Sequence, residues 1–250
     1  MLATTPIAAE VVRAVAGPDA QVATLLTGTA SPHDYGASAK DRARLEEADL
    51  VVAWGAGLER GLPLDDLDQD PLELAAGERD PHVWMDPTRV AAALPGLADA
   101  LADADAEHAG AYRRRAAAYR SELERLDREL RRMLAVVPAE RRKLVTSHDS
   151  LGHFARRYGF EFVGAPFGLA PEAEPSAERV ADLIDRVESQ GVPAVFAEDT
   201  DDPELMRRIA DAAGVEVVDD LLVEGFGDEV DGYEAMMRHD ARRIAEALAP

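Results

Sequence analysis

The sequence predicts an α/β protein of two lobes, each a small, mostly parallel sheet flanked by helices, joined by one long helix. Three observations predict it. Short apolar runs alternate with helical patterns on both sides of the chain's centre. One uninterrupted apolar stripe marks a central helix. The chain has 250 residues, 47% of them hydrophobic, which is enough for two cores of ordinary size.

Before the centre, Thr5-Pro6 opens a helix that Gly17 ends, and the run VATLLTG follows as a strand. A helix over about Ser38 to Ala48 leads into the strand DLVVAWG, and another helix follows Pro87. Proline in the first turn and glycine just past the last are what helix termini favour. The acidic stretch LPLDDLDQDPLELAAGERD between them reads as a surface loop.

In the centre, Tyr112, Ala116, Tyr119, Leu123, Leu126, Leu130, Met133 and Val137 recur at alternating steps of four and three. That spacing keeps one face of a helix apolar over Glu107–Val137, until Pro138 stops it. Glu124–Arg128 and Asp127–Arg131 are opposite charges four apart, which supports an exposed face. Thirty residues would span roughly 45 Å, so the helix reads as a spine packed across two lobes. The expected organisation is therefore 1–106, a linking helix 107–137, and 138–250.

After the centre come the strand KLVTSH, a helix ending near Gly159, the strand FEFVGA and a helix over Ser176–Gln190. PAVFAED is the next strand, followed by a helix opened by Asp202-Pro203 and stopped by Gly214. VEVVDD and a helix through Leu248 complete the chain.

Composition excludes several functions. Acids outnumber bases by 49 to 27, a formal charge of −22 that would repel a phosphate backbone, so nucleic acid is not expected as a partner. There is no cysteine, which rules out disulfides, thiolate metal sites and a cysteine nucleophile, and fits an oxidising compartment. No apolar run is long enough for a membrane span, and MLATTPIAAEVV has no signal-peptide pattern. HExxH, GxSxG, Walker A and GxGxxG motifs are all missing. Ser147 adjoins His148, but neighbours on a strand face opposite ways, so the two do not form a nucleophile and its base.

In open α/β sheets, ligands bind beyond the carboxyl ends of the strands. His33 follows VATLLTG, His148 ends KLVTSH, and His82 lies in DPHVWMDP downstream of DLVVAWG. Glu198 and Asp199 end PAVFAED, and Asp219 and Asp220 end VEVVDD. Neutral imidazole and carboxylate suit borderline divalent metals such as zinc. Position alone leaves open that each histidine is only an exposed loop residue. His108, His153 and His239 fall in helical segments and read as structural or solvent-facing.

These residues also carry a family resemblance. ATTPIAAEVVRAVAG, PHDYGAS, ADLVVAWGAGLE and DPHVWMDP are followed by KLVTSHDSLGHFARRYG, APEAEPSAERVADLI, PAVFAED, VVDDLL and GYEAMMRHDARRIAEAL. In this order around a long helix, they resemble the solute-binding proteins of zinc and manganese ABC importers, which include the bacterial high-affinity zinc-binding proteins. The resemblance implies two α/β lobes joined by a rigid helix, with a buried metal between them. It places the metal ligands on His33, His82, His148 and an aspartate of VVDDLL. Asp219 is preferred over Asp220 for its spacing to Gly225. Glu198 matches a family glutamate that generally supports the site without binding the ion.

A histidine at position 148, where manganese-preferring members often carry glutamate, implies Zn2+ ahead of Mn2+. Four protein ligands leave no open position for a substrate water, so no enzymatic activity is expected. The implied function is capture of the ion by a periplasmic or extracellular monomer and its delivery to an ABC-transporter permease at the membrane. A metal-buffering or adhesion protein without a transporter is the alternative, and a zinc-dependent hydrolase is a further one. The chain departs from many zinc-specific members in having a short acidic stretch in place of a histidine-rich loop. It also lacks a lipobox cysteine.

Overall fold

Strands only two or three residues long organise the first half of the protein. In the computed structural model, β1 (Leu2–Ala3) leads into α1 (Pro6–Ala16), then β2 (Ala23–Thr24), α2 (Ala39–Glu46) and β3 (Val51–Ala53). β4 (Leu72–Glu73), α3 (Pro87–Ala104) and the long α4 (Ala109–Leu134) follow. The structure describes residues 1–27, 31–169, 175–199, 203–227 and 230–250. Chain contacts divide these into two units, Met1–Asp127 and Arg128–Pro250, and α4 runs from the first into the second.

In the first unit, four parallel strands pair in the order β2-β1-β3-β4. β4 lies inside the stretch expected to be a surface loop. Two residues are too few to show strand periodicity, and the acids around them mask the pairing with β3. Because every strand runs the same way, their carboxyl ends share one edge. The sequence starts the helices where their backbone donors need partners. Thr5 caps α1 at the amide of Ala8, with Pro6 in the first turn. Ser38 and Asp41 form a reciprocal capping box on α2. α1 buries Ile7, Val11, Val12 and Val15, while Leu2, Leu25, Leu26, Leu45, Val51 and Leu62 form a second apolar cluster.

The stripe on α4 is buried through Tyr112, Ala116, Tyr119, Leu123, Leu126 and Leu130. At its end Leu134 is the buried residue and Met133 is only half-buried, because 3.6 residues per turn drifts from a strict 3.5 repeat. Asp127, expected on the exposed face, is instead buried, and Glu124 pairs with Arg120 at 3.1 Å.

The second unit holds β5 (Lys143–Val145), α5 (Gly152–Tyr158), β6 (Glu161–Gly164) and α6 (Ala177–Gln190). It continues with β7 (Ala194–Glu198), α7 (Glu204–Ala213), β8 (Glu216–Leu221) and α8 (Tyr233–Leu248). β5 pairs with β6 and β7 with β8, all parallel, and β5 packs beside β7. β7 is buried along its whole length, as expected of a parallel strand covered on both faces. Val145, Val195 and Ala197 meet Leu183 and Val187 of α6 and Met206 and Ile209 of α7. Pro203 caps α7, and Asp202, expected to open that helix, lies outside the described residues. α6 and α7 end on Gly191 and Gly214 in the left-handed region, at φ 64° and 68°, where a Cβ would be strained.

Candidate metal centre

Each unit gathers donor side chains past its strand ends. In the first unit, the segment DPHVWMDP is held by its own polar residues. Asp80 accepts hydrogen bonds from the His82 backbone N–H at 3.0 Å and lies 2.9 Å from His82 Nδ1. Val83–Met85 then form a short 3-10 turn, and Asp86 caps α3 at the amide of Thr88. Trp84 is buried against Trp54, with ring centres 4.8 Å apart, and meets the His82 ring edge-on at 5.2 Å.

The fixed ring of His82 is fully buried. A carboxylate on Nδ1 selects the tautomer protonated there and leaves the Nε2 lone pair available. His82 Nε2 meets Nε2 of the half-buried His33 at 3.3 Å. The two unit-one histidines singled out from sequence are thus brought together, from the segments after β2 and β4.

The second unit repeats the arrangement with different parts. His148 lies three residues past β5 and is buried. Its Nδ1 is 2.8 Å from Oε2 of Glu198, at the end of β7. Glu198 Oε1 accepts from Ser150 Oγ at 2.8 Å and from the His148 N–H at 3.4 Å. Ser147 Oγ accepts from the Glu198 N–H at 3.2 Å, so Ser147 ties β5 to β7. His148 Nε2 faces Oε1 of the buried Glu224 at 3.9 Å.

Glu198 therefore orients His148, as Asp80 orients His82. Asp199, next to it, has its carboxyl pushed up to about 6 by burial and by the neighbouring charges of Glu198 and Glu224.

Asp219 lies elsewhere. It sits on β8 with its side chain about half exposed and accepts from Arg207 at 3.0 Å. Asp220 adopts a left-handed backbone, φ 69°, and pairs with Arg243 at 2.9 Å, also on the surface. The carboxylate presented to His148 is Glu224, which the sequence reading missed. The signal was available: Glu224 is the first polar residue after the apolar run Leu221-Leu222-Val223, as Glu198 is after Ala194-Val195-Phe196-Ala197. Two surface aspartates earlier on the strand drew attention away from it. Of the remaining histidines, His153 is buried on α5, His108 pairs with Asp105 at 2.7 Å, and His239 contacts the Asp220 carbonyl at 3.0 Å.

Residues 1–247 match the profile of the family described as zinc-uptake complex component A, periplasmic. The chain belongs to this family. Among curated relatives of this family member, the zinc-binding protein TroA of Treponema pallidum is 30% identical over 100% of the chain and 88% of its own length. The manganese-binding lipoprotein MntA of Bacillus subtilis is 28% identical over 98% and 88%. The iron-binding protein YfeA of Yersinia pestis is 28% identical over 92% and 78%. The solved structure of the periplasmic TroA is similar at a TM-score of 0.91 and 28% identity, covering 100% of this chain and 98% of that one.

The fold is therefore the two-lobed α/β fold of TroA, with a long helix linking the lobes. These relatives are metal-binding solute-binding proteins and not enzymes. This family member is accordingly a metal-binding component of an ABC metal importer. No helix among the described residues is long and apolar enough to cross a membrane.

Proposed function

We propose that this family member captures one zinc ion with His33 and His82 from its first unit and His148 and Glu224 from its second. One distance carries the reading. Two nitrogens each at roughly 2.0–2.1 Å from a tetrahedral ion lie about 3.3 Å apart, and His33 Nε2 and His82 Nε2 are separated by 3.3 Å. His148 Nε2 and Glu224 Oε1, at 3.9 Å, need to close by about half an ångström to span the same ion. Asp219 gives up its place in the ligand set, because a solvent-facing carboxylate held by Arg207 has no reason to leave it.

Zinc is favoured by the donor set. Three imidazoles and one carboxylate suit tetrahedral zinc, whereas manganese favours more oxygen ligands. The relatives are named for zinc, manganese and iron, so the donors and not kinship support zinc here. With four protein ligands the ion is cargo, held in a closed sphere. Delivery is to the permease of an ABC importer, by a monomeric protein outside the cytoplasmic membrane.

Competition titrations of zinc, manganese and iron(II) against a chelator test the reading. One ion per chain, with zinc tightest, is expected. Two ions per chain would overturn the four-ligand reading. Affinity should also weaken as pH falls from 7.5 to 5.5, because imidazole must be neutral to bind. A flat profile would exclude a three-histidine site.

A further inference from the structure

His33 is the least buried of the four proposed ligands, and its segment holds neither helix nor strand. Two residues downstream of it, two stretches of backbone come into contact. A Cβ built on Gly61 would lie 2.1 Å from the Tyr35 carbonyl oxygen, 3.0 Å from its carbon and 3.5 Å from the Gly36 Cα. All three atoms are backbone, so no flexible side chain can yield. The Ala37 N–H donates to the Gly61 carbonyl at 3.2 Å, which makes the approach a bonded one.

Both sides of this contact are anchored. On the Gly61 side, the buried Glu59 accepts from Thr4 Oγ1 at 2.7 Å, the Trp54 N–H at 2.9 Å and the Gly55 N–H at 3.0 Å. The turn bearing Gly61 is thereby clamped to the ends of β1 and β3. Downstream of His33, the Tyr35 hydroxyl donates to Asp41 at 2.8 Å, the same carboxylate that closes the capping box with Ser38. Tyr35 and Ala37 also pack on the Leu2, Leu45 and Leu62 cluster.

We infer that Gly61 is a positioning residue for metal capture: its missing side chain lets the Tyr35–Ala37 backbone seat against the clamped turn, and this seating sets where His33 presents Nε2. The inference rests on His33 being a ligand. A displacement of about an ångström at a ligand-bearing segment is enough to weaken a site, by about the tenfold or more that supporting residues of metal ligands contribute.

The test is a double-mutant cycle on the whole chain, with zinc affinity read by chelator competition at pH 7.5. Gly61→Ala should weaken zinc binding about tenfold in the parent and leave the affinity of His33→Ala unchanged, while adding its full factor in a His148→Ala background. An equal loss with and without His33, or no loss in the parent, would overturn the inference. If His33→Ala alone leaves zinc affinity unchanged, the ligand assignment itself fails and takes the inference with it. Should Gly61→Ala not fold, hydrogen exchange on the unmutated protein decides. The Ala37 amide should be protected and become more so with zinc; free exchange in both states would refute the seating.

Discussion

His82 and His148 are built to one plan from unlike materials. Each has a carboxylate against Nδ1, at 2.9 Å and 2.8 Å, and each thereby directs Nε2 toward another donor. In the first unit the orienting acid is Asp80, two residues away in the same turn, and the next donor is an imidazole. In the second the orienting acid is Glu198, fifty residues away on another strand, and the next donor is a carboxylate. In the first unit the orienting acid is local, and in the second it comes from a distant segment and stands among other acids. Under the proposed function, a bound cation would draw on neutral nitrogen lone pairs and would offset the crowded negative charge beside His148.

The largest effects should come from the ligands themselves. Structural zinc binding of about 10–16 kcal/mol shared over four ligands makes each worth about a hundred- to a thousandfold in affinity. His82→Ala and His148→Ala should both weaken zinc binding by that order in chelator competition. Glu224→Ala should do the same, while Asp219→Asn should stay within about twofold, as expected for a surface ion pair. An Asp219→Asn loss as large as that of Glu224→Ala would return the fourth ligand to β8 and undo the comparison.

How far each half could be read from the sequence follows from the same difference. DPHVWMDP shows its whole construction in eight residues: two aspartates, two prolines, and a histidine two positions after the first acid. The pairing of His148 with Glu198 needs β5 to lie beside β7, which no local pattern records. The resemblance indicated Glu198, yet its bond to His148 emerged only with the fold. Glu224 was hidden because β8 continues to Leu221, past an unusual left-handed Asp220, so the chain reaches the site later than the hydrophobic run suggests. Helices were legible where caps and stripes are strong, as in α1, α2 and α4. Strands of two residues, such as β4, carry too little periodicity to see.

The orienting acids rank next. Asp80→Asn and Glu198→Gln should each weaken zinc affinity about ten- to a hundredfold, since the amide no longer selects the tautomer as firmly. They should differ in stability. Glu198 also accepts from Ser150 and the His148 N–H while fully buried, so Glu198→Gln should lower the apo melting temperature. Asp80 bonds to His82 within its own turn and is partly exposed, so Asp80→Asn should lower that temperature less. Equal melting temperatures for the two variants would contradict the contrast between local and assembled support.

The smallest effects concern protons in the metal-free protein, and they separate the units by mechanism. Asp199 in the second unit is raised to about 6 by burial first and then by the charges of Glu198 and Glu224. A carboxyl raised on folding favours the folded state fully below its unfolded value near 3.8 and loses that contribution as pH rises through about 6. Apo Asp199→Asn should therefore be more stable than the parent at pH 7 by about 1 kcal/mol, after screening of this partly exposed group, and match it near pH 4. His108 in the first unit is raised for the opposite reason, an attractive hydrogen bond to Asp105. Its contribution is also full below the unfolded value near 6.5 and lost as pH rises through the higher folded value. Its exposure makes the effect smaller still, and of opposite sign on mutation: His108→Gln should lower stability near pH 6, and the difference should shrink as pH rises through the folded value. Thermal melts of both variants from pH 4 to 8 would show it. If Asp199→Asn destabilised at pH 7 as His108→Gln does at pH 6, the acid in the second unit would be held by attraction, and an ion would not be needed to offset it.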